Sequence, residues 1–216
     1  MYQDRMMDFI KQRNELSDSN KQVVEIIEKG FEEFISTGKM PIQLLESCNL
    51  EELLNYVVAS HRFYIEKKLP EISQLIHSLC RAFGSTHPST LILNHFFHQY
   101  YKAFKSHLDL EDEQIIPYVQ TLVDIENGAF EKLTLLKLCD RYLLSTFHEQ
   151  HSDTETDIRI VRRAIQEFPV PENAESQYRL LISHLENFEK DLHFHSELEE
   201  QVMIPKALSL EKIVRY

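Results

Sequence analysis

His107-Leu-Asp-Leu-Glu111-Asp-Glu-Gln-Ile-Ile-Pro117 and His195-Ser-Glu-Leu-Glu199-Glu-Gln-Val-Met-Ile-Pro205 share one pattern, and the fold is read outward from them. In each, a Leu follows the His by three positions and a Glu by four, and a second acid, an Ile and a Pro fall at matching offsets. Residues four apart lie on one face of an α-helix, so each His–Glu couple points at a single place beside its helix. Two such couples converge only when their helices pack side by side.

Around these segments the chain reads as helix. Residues 1–48 form a separate lead-in, where Val23, Val24, Ile26, Ile27, Phe31, Phe34 and Ile35 recur at helical spacing and Gly38 is the expected stop. A short turn follows Pro41, and Asn49 is placed to cap the next helix. That helix spans about Leu50 to Phe83, with a kink expected at Pro70. A second helix runs from about Ser89 past Pro117 to the turn signal Asn127–Gly128. A third covers about Phe130 to Phe168 and breaks at Pro169–Pro171, and a fourth runs from about Glu172 to Ile204–Pro205. Four long helices with short connections run up and down. The expected fold is an all-α, antiparallel four-helix bundle over residues 49–216, with an extra N-terminal helical segment, residues 1–48.

Composition supports helix and narrows the function. The 216 residues include only four Gly and no Trp, which favours long helices over sheet. A net charge of -12, with acids and bases mixed along the chain, argues against direct nucleic-acid binding, which needs a basic face. The three cysteines, Cys48, Cys80 and Cys139, are odd in number and far apart, as expected of a reducing cytoplasm. No signal-peptide core stands at the N-terminus, and no apolar run approaches the ~20 residues of a membrane span. No nucleophile arrangement and no glycine-rich phosphate loop is present, so turnover is not assigned.

Helix rise sharpens the motif. At roughly 1.5 Å per residue, His107 lies about 30 Å from the turns at either end of its helix, and His151 and His195 lie at comparable heights on theirs. At that level the first helix carries His61 and Arg62. One histidine level therefore crosses all four helices. Imidazole and carboxylate donors with few thiolates suit iron, manganese or zinc, and carboxylates from facing helices bridge two ions in di-iron bundles. Glu111 and Glu199 are assigned as bridges, with His107, His151 and His195 as terminal ligands. Outer partners that orient these ligands are expected. His87 falls in a turn about 30 Å away. His77, His95, His98, His148, His184 and His193 are read as surface or packing residues, and the acids after each motif as solvated.

Over roughly residues 50–208 the chain resembles the hemerythrin-like iron–sulfur-cluster repair family, also called repair of iron centres. The resemblance rests on Leu69-Pro70-Glu71, the His107/Glu111 pair, Glu149-Gln150-His151, the His195/Glu199 pair and Ile204-Pro-Lys-Ala-Leu208. It implies a four-helix bundle with a non-haem di-iron centre held by four histidines and two bridging glutamates. It also implies a part in nitrosative or oxidative stress responses, with nitric oxide, oxygen or an iron–sulfur protein as partner.

The chain departs from the family pattern at two places. Counting back from Pro70, the family's ligand on the first helix falls on Arg62, with His61 one residue earlier. One residue is about 100° of helix rotation, so His61 faces the core only where the helix is over- or underwound near the proline. An inward Arg62 would disfavour a second cation, leaving one metal, a substitute such as zinc, or a degenerate, metal-free site. The family's N-terminal domain also carries a vicinal cysteine pair, whereas residues 1–48 hold only Cys48. The alternative function is a sensory module of a transcription regulator, whose DNA-binding part would lie outside this sequence.

Overall fold

The structure, a computed structural model, describes residues 18–83, 88–129, 154–167, 170 and 172–215. Its elements in chain order are α1 (Asp18–Thr37), α2 (Ile42–Leu45), α3 (Leu50–Phe63), α4 (Leu69–Phe83), α5 (Pro88–Leu110), α6 (Ile116–Glu126), α7 (Thr154–Gln166), a 3-10 turn (Glu172–Ala174), α8 (Glu175–Leu198) and α9 (Ile204–Arg215). π-Helical turns at Tyr64–Lys68, Glu111–Ile115 and Glu199–Met203 join α3 to α4, α5 to α6 and α8 to α9. Among the described residues there is no strand. Among them, too, no helix is long and apolar enough to cross a membrane.

Local chemistry sets the helix ends. Gly38 ends α1 with φ at +68°, its N–H bonded to the Phe34 carbonyl at 2.8 Å. A left-handed residue there costs a glycine little. Asn49 starts α3 through a reciprocal pair of bonds: Asn49 N–H donates to Glu52 Oε2 at 2.8 Å, and Glu52 N–H donates to Asn49 Oδ1 at 2.9 Å. The Asn127–Gly128 turn closes α6, with Gly128 at φ +76° and Ala129 N–H bonded to the Asp124 carbonyl.

Each π turn begins six residues before a proline: Tyr64 before Pro70, Glu111 before Pro117, Glu199 before Pro205. Each is closed by a bond from five residues on, with Leu69, Ile116 and Ile204 N–H donating to the Tyr64, Glu111 and Glu199 carbonyls. Proline has no N–H to give and its ring crowds the carbonyl four residues back. A wider turn just before it absorbs that mismatch and lets the helix go on. The expectation that the fourth helix stops at Ile204–Pro205 is therefore corrected, because α9 carries it to Arg215. At Pro70, likewise, the irregularity is a π turn.

The chain divides into two compact units. The first comprises Met1–His61, Asp109–Ser152 and Phe194–Tyr216. Its core holds Leu53, Leu54 and Val57 from α3, Val119 and Leu122 from α6, and Leu198, Val202 and Ala207 around the third π turn, all buried. Burying such a side chain contributes ~1.5–3 kcal/mol. From α1, Phe31 and Phe34 pack on Phe194 with ring centroids 5.2 and 5.6 Å apart. Gly30 is buried where an added Cβ would come within 2.9 Å of Leu45 Cδ2, so its missing side chain lets α2 close on α1. Lys206 Nζ donates to the Glu46 carbonyl at 2.8 Å, fastening the end of α2 to α9.

The second unit comprises Arg62–Leu108 and Asp153–His193. Its core is aromatic. Tyr100 stacks on Phe104 at 5.7 Å, and Phe188 meets Phe104 edge-on at 5.8 Å. Ile158 and Ile165 give α7 its buried face, and Arg162 grips both carboxylate oxygens of Glu189 at 2.9 and 3.0 Å. Lys68 is fully buried, its Nζ 3.3 Å from His184 Nδ1.

Candidate metal centre

The first unit gathers four of the sequence-assigned ligands. His61 comes from the last turn of α3, Glu111 opens the second π turn, His195 ends α8 and Glu199 opens the third π turn. They are 1, 2, 5 and 5% exposed respectively. Burying two carboxylates costs heavily unless a positive charge or an ion sits with them.

His61 is at the centre of the group. Its Nε2 lies 3.2 Å from His195 Nε2, 3.4 Å from Glu111 Oε2 and 3.8 Å from Glu199 Oε1. His195 Nε2 and Glu199 Oε1 are 3.4 Å apart along their shared helix face, as the four-residue spacing requires. One donor atom each from His61, His195 and Glu199 falls within a 4.8 Å span. Donors about 2.1 Å from one ion stand roughly 3.0–3.4 Å from each other, so the spacings here suit a shared cation with small adjustment.

The π turn explains how His61 reaches this place. A five-residue turn takes up one residue more than regular helix, so counting back from Pro70 misplaces the inward position by about 100°. His61 is buried and Arg62 is exposed. The underwinding that an inward His61 demands is present, and the guanidinium is exposed to solvent.

Electrostatics support the same reading. Burial pulls the His61 pKa down, but the hydrogen bond with Asp112, the one with Glu199 and the charges of Glu199 and Glu111 outweigh it, and the group is pushed up to about 10. Burial alone would raise the Glu199 carboxyl, whereas the His195 charge and bonds with His195 and His61 hold it well below the usual carboxylate range. In the metal-free protein a proton on His61 thus supplies the positive charge that a bound cation would bring.

Asp112 completes the arrangement, and sequence reasoning missed it. Its Oδ1 lies 2.7 Å from His61 Nδ1, although the side chain is 46% exposed. The expectation that the acids after each motif are solvated therefore holds only in part for Asp112. A carboxylate on Nδ1 keeps the hydrogen there and leaves Nε2 of the neutral ring as the electron-pair donor. The available signal was its place directly after Glu111 in the repeated motif.

Of the other two assigned ligands, one is not among the grouped donors and one cannot be compared with them. His107 is half-buried in the last turn of α5, four residues before Glu111, and is not among the three grouped donors. His151 lies outside the described residues.

Sequence comparison gives relatives for the chain. It is 22% identical over 159 residues to the iron–sulfur cluster repair protein ScdA of Staphylococcus epidermidis, covering 74% of this chain and 67% of that one. It is 22% identical over 171 residues to the protein of the same name from Staphylococcus haemolyticus, covering 78 and 71%. No family model matches the chain. No solved structure matches it. The chain is thus similar in sequence to proteins named for iron–sulfur cluster repair, and it buries His61, His195 and Glu199 together.

Proposed function

We propose that this chain is a cytoplasmic non-haem iron protein, folded as a hemerythrin-like four-helix bundle, that acts in iron–sulfur cluster repair under nitrosative or oxidative stress. The carrying observation is the buried convergence of His61, His195 and Glu199 beside Glu111. The names of its relatives supply the direction of the chemistry. The proposed centre would hold two irons on the imidazoles of His61, His107, His151 and His195 and the carboxylates of Glu111 and Glu199.

Iron held there would supply a Lewis acid and a one-electron couple toward nitric oxide, oxygen or the iron of a damaged cluster. The chain's own residues do the rest. Asp112 fixes the His61 ring so that Nε2 faces Glu111, Glu199 and His195. The burial of all four side chains keeps bulk water off the donors and strengthens their hold on a cation. His61 gives up its Nε2 proton as a cation takes its place, which offsets part of the incoming charge. Arg62, the basis for reading the site as degenerate, is exposed and brings no charge inward.

Iron content of protein purified without chelators tests this reading. Close to two irons per chain with an oxo-bridged absorption band would support the di-iron form, and one iron or zinc would support a mononuclear site. A folded protein that takes up no metal on reconstitution would overturn it.

A further inference from the structure

The second unit carries another histidine group, outside the candidate centre. His77 on α4 and His95 and His98 on α5 line one open cavity of about 610 Å³, with Phe97 buried at its side. His95 and His98 are three residues apart and so share a helix face. Nearby, Asn94 Nδ2 donates to Cys80 Sγ at 3.3 Å, holding the two helices together.

His77 is already oriented as a ligand is. Its Nδ1 lies 2.7 Å from the Ser73 carbonyl, which can only accept, so Nδ1 carries the hydrogen and Nε2 of the neutral ring carries the lone pair. Metal-bound histidines are commonly held in this way, the second nitrogen donating to a carbonyl or carboxylate. No carboxylate lines the cavity among the described residues. Imidazoles without carboxylates prefer ions such as Zn²⁺, Cu²⁺ and Ni²⁺ to Mg²⁺ or Ca²⁺. The net charge of -12 favours cations near the chain.

We propose that His77, His95 and His98 form a surface site that captures one such divalent transition-metal ion, separately from the buried centre. The ligand nitrogens of the three do not fall within 4.8 Å of one another, so capture swings His95 and His98 toward the Nε2 that His77 already presents. All three are exposed, and exposed side chains change rotamer in nanoseconds or less.

The test is a Zn²⁺ titration of the full chain against a chromophoric chelator, in the native sequence and in Glu199→Gln, which weakens the buried centre alone. One equivalent should persist in Glu199→Gln. His77→Ala, His95→Ala and His98→Ala, each made in that background, should weaken it at least about tenfold, and His193→Ala should leave it unchanged. Cu²⁺ bound at the site should show splitting from three nitrogens in its electron paramagnetic resonance spectrum. The proposal is overturned if no equivalent persists, if the three variants bind as tightly as their parent, if His193→Ala weakens binding equally, or if the Cu²⁺ spectrum shows a single nitrogen.

Discussion

His61 Nδ1 and Asp112 Oδ1 stand 2.7 Å apart, joining a fully buried imidazole to a carboxylate that is half in water. The bond reaches from the end of α3 to the second π turn and fixes which nitrogen of His61 faces the acidic pocket. Removing an outer partner of this kind typically costs 10–100-fold in metal affinity. Asp112→Ala should show that loss in an iron or Co²⁺ competition titration, and Asp112→Asn, which keeps an acceptor, a smaller one. Equal affinity in all three proteins would contradict a positioning role.

The same bond makes the metal-free protein sensitive to alkaline pH. The folded pKa of His61 is raised from 6.5 to about 10, so its charged form stabilises the fold fully below about pH 6.5. That stability declines as pH rises and is gone above about 10. Denaturant midpoints of metal-free native protein and His61→Gln, measured from pH 6 to 10, should draw together as pH rises. A constant gap would show that the proton on His61 contributes nothing.

Metal should stabilise the fold through the grouped ligands. At a free metal concentration of 100 times Kd the gain is about 2.7 kcal/mol. His195→Ala and Glu199→Ala should lose the metal-dependent rise in Tm that the native chain shows. A rise of the same size in both variants would place the bound ion elsewhere.

Much of this site was legible in the sequence. The four-residue His–Glu spacing, repeated with matching flanks, was enough to single out Glu111, His195 and Glu199, which are buried, along with His107, which is not among the grouped donors. The choice between His61 and Arg62 was not legible, because it depends on one extra residue in the turn before Pro70. Nothing in Tyr-Ile-Glu-Lys-Lys announces a π turn, although the matching distance to Pro70, Pro117 and Pro205 hints at it in retrospect. Pro205 misled for the same reason: a proline reads as a helix end unless the preceding turn has widened. Asp112 was hidden because a partner on another helix has no sequence periodicity.

Cys48 and Cys80 should be inert as thiols. Both are buried, and burial, followed by the Glu52 charge, pushes Cys48 up to about 11, while burial raises Cys80. At pH 8 a thiol with a pKa of 11 is only about 0.1% thiolate. Peptide mapping after iodoacetamide treatment of native protein should find both unmodified, and unfolded protein should be labelled at both. Rapid native labelling of Cys48 would contradict its burial.

Anomalous scattering at the iron edge, from crystals of protein reconstituted with iron, tests the shared-cation reading most directly. The expected map has its strongest peak within coordinating distance of His61 Nε2, His195 Nε2 and Glu199, with Arg62 turned to solvent. Iron-edge density confined to the surface, with those three side chains packed only against one another, would contradict it.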